Sequence, residues 1–201
     1  MNGWAIAIIV YGVIAGGTFT PVAHALLKPI TLHDGGPSFE ESPDLSDDAK
    51  ERLRQNFLRI QGTLGFWKQR AAVYGRFHYY AVIWTLLAAV AMPFLAQAIS
   101  SNDAAAKWFL TLVSAHAAVL LASHRGLKVS QNYQAFRQGE SEFYDLYRRL
   151  LDRPSSFRGN TEAERLADYF EKVEAIRRLV RNAETDNLPS VSEGPGSLGQ
   201  S

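Results

Sequence analysis

FHYYAVIWTLLAAVAMPFLAQAISSN at Phe77–Asn102 and WFLTLVSAHAAVLLASH at Trp108–His124 contain no Asp, Glu, Lys or Arg, and only Asp103-Ala-Ala-Ala-Lys107 separates them. A helix crossing the hydrocarbon core of a bilayer needs about 20 mostly apolar residues. A charge at mid-membrane costs roughly 2.5–3.5 kcal/mol on insertion scales. The pair therefore reads as a transmembrane hairpin: one helix across, a tight turn, and a second helix back. Whole-chain averages conceal this, since 20% charged residues, a net charge of +1 and a mean hydropathy of −0.12 would suit a soluble domain. The charges are segregated, most of them in residues 45–76 and 125–184.

A third apolar block runs from Gly3 to Leu27 without charge, the first Lys or Arg being Lys28. A secretory signal would place a basic residue ahead of its apolar core. The block therefore reads as an anchoring transmembrane helix, with Pro21 expected to kink it or end it early. Basic residues assign sidedness. Lys50, Arg52, Arg54, Arg59, Lys68, Arg70 and Arg76 precede the second span, and Arg125, Lys128 and Arg137 follow the third. The positive-inside rule then puts residues 28–76 and the C-terminal half in the cytoplasm, with the N-terminus outside.

Residues 28–44, with Pro29, Gly35, Gly36, Pro37 and Pro43, read as a loop. Ser46 before Asp47 and Asp48 is a candidate N-cap. From there Leu53, Phe57, Ile60, Leu64, Trp67, Ala71 and Tyr74 recur at alternating spacings of four and three, a heptad seam interrupted by Gly62 and Gly65. A seam needs a partner. Downstream of the third span, Tyr133, Phe136, Phe143, Tyr144, Tyr147, Leu150 and Leu151 form one apolar side, and Arg153-Pro154 stops that helix. If this extension continues the third span, the two form one rod of about 47 residues and about 70 Å. Asn160 or Thr161 caps a last helix carrying Leu166, Tyr169, Phe170, Val173, Ile176, Leu179 and Val180, and a tail from Thr185 reads as disordered. The expected fold is thus an all-α membrane protein: an N-terminal span (1–27), a loop (28–44), a cytosolic helix (45–76), a transmembrane hairpin (77–124), two cytosolic helices (125–152 and 160–184) and a tail (185–201).

Candidate functional residues are few. His116 lies mid-span and shares a stripe with Phe109 and Ser123 at seven-residue spacing. Polar groups at that depth face a partner helix or a water-filled path, so His116 either bonds a neighbouring helix or, with Ser123 and Phe109, lines a pore. Three spans cannot enclose a conduit alone, so a pore requires a homo-oligomer. Gly12 and Gly16 form a G-x-x-x-G pair that permits close helix approach. Leu53, Phe57, Ile60, Leu64 and Trp67 are the further candidates for helix packing or oligomer contact. Arg148, Arg149 and Arg153, and Arg177, Arg178 and Arg181, are basic clusters that either face water or bind a phosphate-bearing ligand. With no Cys and no catalytic fingerprint, the sequence offers no catalytic residue, metal site or cofactor site.

A basic aromatic entry, Phe66-Trp67-Lys68-Gln69-Arg70-Ala71-Ala72-Val73-Tyr74, leads into the two-span hairpin. Tyr133-Gln134-Ala135-Phe136-Arg137, then Glu140-Ser141-Glu142-Phe143 and a last amphipathic helix follow it. Over residues 50–184 this arrangement resembles the SLATT family, the two-transmembrane effector domains associated with bacterial nucleotide signalling. The resemblance implies a non-enzymatic effector of the bacterial inner membrane that oligomerises into a pore in antiviral defence. It also implies a nucleotide or oligonucleotide signal and a co-encoded nucleotidyltransferase or sensor as partners. The N-terminal span is additional to the minimal two-span pattern. The alternative expectation is a non-conducting scaffold that anchors a partner protein through its cytosolic helices.

Overall fold

The computed structural model describes residues 3–28, 39–99 and 103–186, and these contain five α-helices and no strand. They are α1 (Gly3–Leu27), α2 (Asp47–Ala98), α3 (Ala104–Gly126), α4 (Val129–Asp152) and α5 (Glu162–Asp186), with 3-10 turns at Phe39–Glu41 and Pro154–Ser156. α1, α3 and the apolar part of α2 are each long and apolar enough to cross a membrane. The chain divides into two compact units: one drawn from residues 1–27 and 74–130, the other from 28–73 and 131–186. α2 contributes to both without a break.

Capping residues set where helices begin. Ser46 Oγ accepts from the Ala49 N–H at 3.3 Å, and Asp103 accepts from the N–H groups of Ala105 and Ala106, starting α3. At α5 the cap is Thr161: its Oγ1 accepts from Glu164 N–H, while the Glu164 carboxylate accepts from the N–H groups of Thr161 and Asn160, a capping box. Gly159 precedes it at φ +119°, a conformation open to glycine, and a Cβ there would collide with Glu164.

Three expectations are corrected. Pro21 does not end α1 early, because the helix continues to Leu27 with the proline inside it. α3 and α4 are not one rod. Gly126 ends α3, Leu127 N–H closes onto the Ser123 carbonyl, and Lys128 turns the chain at φ +44° before α4 begins at Val129. Thr185 and Asp186 belong to α5, so the helix outlasts the expected start of the tail. Of the expected loop, residues 29–38 lie outside the described residues, as do residues 187–201 of the expected tail.

In the second unit the α2 seam is buried: Leu53, Ile60, Leu64 and Trp67 are at most 4% exposed, with Phe57 half-buried. α4 supplies Phe136, Phe143, Leu146 and Leu150 to the core, and α5 supplies Leu166, Tyr169, Val173 and Val180. Each such side chain contributes about 1.5–3 kcal/mol by leaving water. The three helices meet at Gly139, where an added Cβ would overlap the Val180 side chain and lie 3.5 Å from the Trp67 ring. Phe66 packs edge-on against Phe136, and Tyr147 contacts Phe57 and Phe39.

The start of α5 also holds the start of α2. Glu162 accepts from Ser46 N–H at 2.9 Å and from Ser46 Oγ–H at 2.5 Å, which keeps its carboxyl below the usual carboxylate range. Hydrogen bonds from Thr161 and Asn160 N–H lower Glu164, and the Lys172 ammonium, then Arg158 N–H, lower Asp168.

Two predictions follow from this packing. Gly139→Ala should destabilise the chain by about 1–3 kcal/mol through overpacking. Gly62→Ala, where an added Cβ meets nothing within 4 Å, should stabilise it by up to about 1 kcal/mol. Thermal unfolding of the full chain in detergent micelles distinguishes the two signs. The second concerns acid. Because all three carboxyls titrate lower when folded, their contribution is complete above the unfolded value of about 4.3 and is lost as pH falls through the folded values. Hydrogen exchange should therefore show the Ser46–Ala49 and Asn160–Asp168 amides opening first below about pH 4. Glu162→Ala should open Ser46–Ala49 about fivefold at pH 7, the ~1 kcal/mol that such bonds retain at a solvated site.

Candidate functional site: a tyrosine–histidine clamp among the apolar helices

Within the first unit, the polar side chains of three apolar helices turn toward one another. Tyr11 of α1, Tyr80 and Trp84 of α2 and His116 of α3 share one cluster. Helical spacing places them there. Phe77, Tyr80, Ala81, Trp84 and Ala88 recur along the inward face of α2, and Ala106, Phe109, Val113, His116 and Leu120 along that of α3.

Tyr11 Oη lies 2.6 Å from His116 Nδ1, and His116 Nε2 lies 3.2 Å from Tyr80 Oη, which in turn donates to the Ala15 carbonyl at 3.2 Å. The single Tyr80 hydroxyl proton goes to Ala15, so Tyr80 accepts from His116 Nε2–H. With a neutral imidazole, Nδ1 then accepts from Tyr11 O–H, and both ring nitrogens are satisfied. A parallel tie joins Trp84 Nε1–H to Thr18 Oγ1 at 3.0 Å, and Thr18 in turn donates to the Ile14 and Ala15 carbonyls. Edge-on ring contacts surround the chain: Tyr11 with Trp84 at 5.2 Å and with Phe109 at 5.9 Å, and Phe19 with Tyr80 at 5.2 Å. Val22, Tyr80, Ala81 and Leu120 form the adjoining apolar cluster.

Of the stripe proposed from sequence, the structure gathers Phe109 and His116 around Tyr11, whereas Ser123 lies two turns away, half-buried and outside the cluster. Gly12 and Gly16 are exposed, and a Cβ at either meets nothing within 4 Å. The packing candidates Leu53, Ile60, Leu64 and Trp67 are buried within their own unit. The two arginine clusters do not converge as groups. Arg148, Arg149, Arg153, Arg178 and Arg181 are exposed, and Arg177 is half-buried with an Nε that has no hydrogen-bond partner. Arg149 lines a shallow cleft of about 360 Å³ together with Lys172, but Glu142 and Asp145 line it too and would repel an anion.

Sequence reasoning overlooked Tyr11 as the partner of His116, because the two are 105 residues apart. It also did not pair His78 with His124, although His78 Nδ1 and His124 Nε2 are 2.8 Å apart. That pairing had a signal: the two histidines are nearly equidistant from the hairpin turn, so antiparallel helices bring them level. No family model, curated protein or solved structure matches the chain.

The clamp is testable by removing one hydroxyl. Hydrogen bonds between apolar helices average about 0.6 kcal/mol and reach about 1.7. Tyr11→Phe, which keeps the ring contacts, should destabilise the full chain in micelles by that amount. His116→Leu, which leaves the Tyr11 hydroxyl without its acceptor, should cost more, about 1–3 kcal/mol.

Proposed function

We propose that the chain is a SLATT-like membrane effector of bacterial nucleotide-signalling defence, non-enzymatic, whose copies assemble into a gated pore. The observation that carries this reading is the continuity of α2. One unbroken helix, Asp47–Ala98, bears the buried seam in one unit and the clamp residues Tyr80 and Trp84 in the other. A signal or partner protein that repacks the seam therefore acts on the same helix that holds the clamp.

The basic residues around 50–76 and 125–137 support a cytoplasmic position for the helical bundle in the bacterial inner membrane. The closed clamp is the resting state. Its polar atoms are satisfied internally, and the outer surfaces of the apolar helices carry Val13, Phe94, Trp108 and Val119 at 62–70% exposure, a surface suited to lipid. Conduction requires the clamp to open, so that His116, with Phe109 and Ser123 along the same helix, faces a path shared between copies. The exposed Gly12 and Gly16 give a second copy a smooth face for close approach. A signal shifts this equilibrium only by its differential affinity for the two states.

The complete internal satisfaction of the clamp also favours a second reading, a non-conducting anchor that holds a partner protein at the membrane. Membrane potential in cells expressing the chain separates the two. For a pore, Tyr11→Phe should raise signal-independent depolarisation by about 3- to 18-fold, the equivalent of one hydrogen bond lost from the closed state. His116→Leu should weaken the signal-dependent response. An unchanged potential in every context and variant would reject the pore and leave the anchor.

A further inference from the structure

The basic end of the first unit brings two histidines together near two arginines. His78 Nδ1 and His124 Nε2 are 2.8 Å apart, with ring centroids at 5.0 Å. Arg76, two residues before His78, donates to the Pro21 carbonyl of α1 at 3.0 Å, so all three helices meet at this end. Arg125 follows His124 directly, and Lys128 lies three residues beyond. Arg76 and Arg125 are exposed and the histidines half-buried.

The groups beside the pair are Arg76 and the Tyr79 ring from α2 and Arg125 from α3, while α1 contributes the Pro21 carbonyl bonded by Arg76, with His24 three residues further on in its last turn. No carboxylate lies along the chain between Glu51 and Asp103 or between Asp103 and Glu140. Asp103 itself caps the opposite end of α3. Among the described residues of this unit Asp103 is the one carboxylate, so this end is positive, and it sits where the charge-free windows stop. Just inside it the exposed Tyr79, Ile83 and Leu121 offer apolar surface on the same helices.

We propose that this end binds the phosphate of an anionic phospholipid headgroup, held by Arg76 and Arg125, with the His78–His124 pair supplying donors by taking up one proton. The hydrogen-bonded neutral pair shares one N–H between its rings. Of its two outward nitrogens, one carries a hydrogen and the other is a bare acceptor. A single added proton turns that acceptor into a donor and leaves the shared bond in place. The pair then presents two N–H groups and a positive charge, a match for phosphate oxygens, which only accept. Headgroup binding and proton uptake are thereby linked. The adjoining apolar surface selects a lipid over a free phosphate, since the acyl chains lie along the helices while the headgroup meets the arginines. The proposal requires the three helices to lie in a bilayer and is independent of conductance.

The test titrates the full chain, in neutral detergent micelles, with dihexanoylphosphatidylglycerol, dihexanoylphosphatidylcholine and inorganic phosphate at pH 8 and pH 6. Saturable binding of the glycerol lipid is expected, with no saturable binding of the choline lipid and weaker binding of phosphate. One added charge near a headgroup is worth about 1 kcal/mol, so affinity should rise about fivefold from pH 8 to pH 6. Arg125→Gln, at an exposed position, should weaken binding about fivefold at both pH values. His78→Gln with His124→Gln should abolish the pH dependence, leaving one affinity at pH 6 and pH 8. Equal binding of both lipids, or phosphate binding as tightly as the glycerol lipid, would overturn the lipid site. A pH dependence that survives the double substitution would overturn the role of the histidine pair.

Discussion

α1, α3 and the apolar part of α2 are long and apolar enough to cross a membrane, where polar groups would have no water to turn to, and the arrangement of the three helices meets that constraint. Thr85, Thr111 and Ser114 solve it locally by donating to carbonyls one turn back in their own helices. Tyr11, Tyr80, Trp84 and His116 cannot, because their polar atoms sit too far from their own backbone. They reach across to other helices. Apolar packing provides little drive for association when the surroundings are equally apolar, so these few bonds choose which faces meet. The register that brings Tyr11, His116 and Tyr80 level, with Ala15 at the end, pairs both hydroxyls and both ring nitrogens of this relay.

The second unit works under the opposite rule. There burial from water dominates, and the seam of α2 is selected by its apolar period. α2 obeys both rules in turn. Its inward residues run Leu53, Phe57, Ile60, Leu64, Trp67, Ala71, Tyr74 and then Phe77, Ala81, Trp84, Ala88. The alternation of four and three slips once, between Tyr74 and Phe77, where the chain passes from one unit to the other. A slip of this kind rotates the buried stripe around the helix while the backbone stays helical.

Most of the helical architecture was legible because its signals are local or periodic. Charge-free windows marked the three apolar helices, the seam marked a buried face, and Arg153-Pro154 marked the end of α4. What escaped was non-local or depended on backbone geometry. A lysine at φ +44° is an unlikely turn residue by type, so Lys128 gave no warning of the break between α3 and α4. His116 announced that it needed partners, but nothing in α3 named Tyr11, whose helix is the most distant in sequence. Nothing local in the sequence marks Gly139, and only the approach of Val180 and Trp67 explains why a larger residue does not fit. Of the arginine clusters, Arg148, Arg149, Arg153, Arg178 and Arg181 are exposed, as a charge run that faces water would be.

The same constraint identifies the element best suited to move. α1 buries only Val22 and Ala25 among its 25 residues, and the polar ties from Tyr11, Thr18 and the Ala15 and Pro21 carbonyls do much of the rest. Ties of about 0.6 kcal/mol each sum to a few kcal/mol, a gap that ligand binding can reverse. Its other side, with Gly12 and Gly16, carries little steric bulk and fits another helix as readily as it fits lipid. α2 and α3 are consecutive helices that touch through His78 and His124. On the proposed pore reading, α1, tied to them by a few reversible hydrogen bonds, is the element that switches. Its release would expose Tyr11, Tyr80 and His116 together, because one chain of hydrogen bonds satisfies all three.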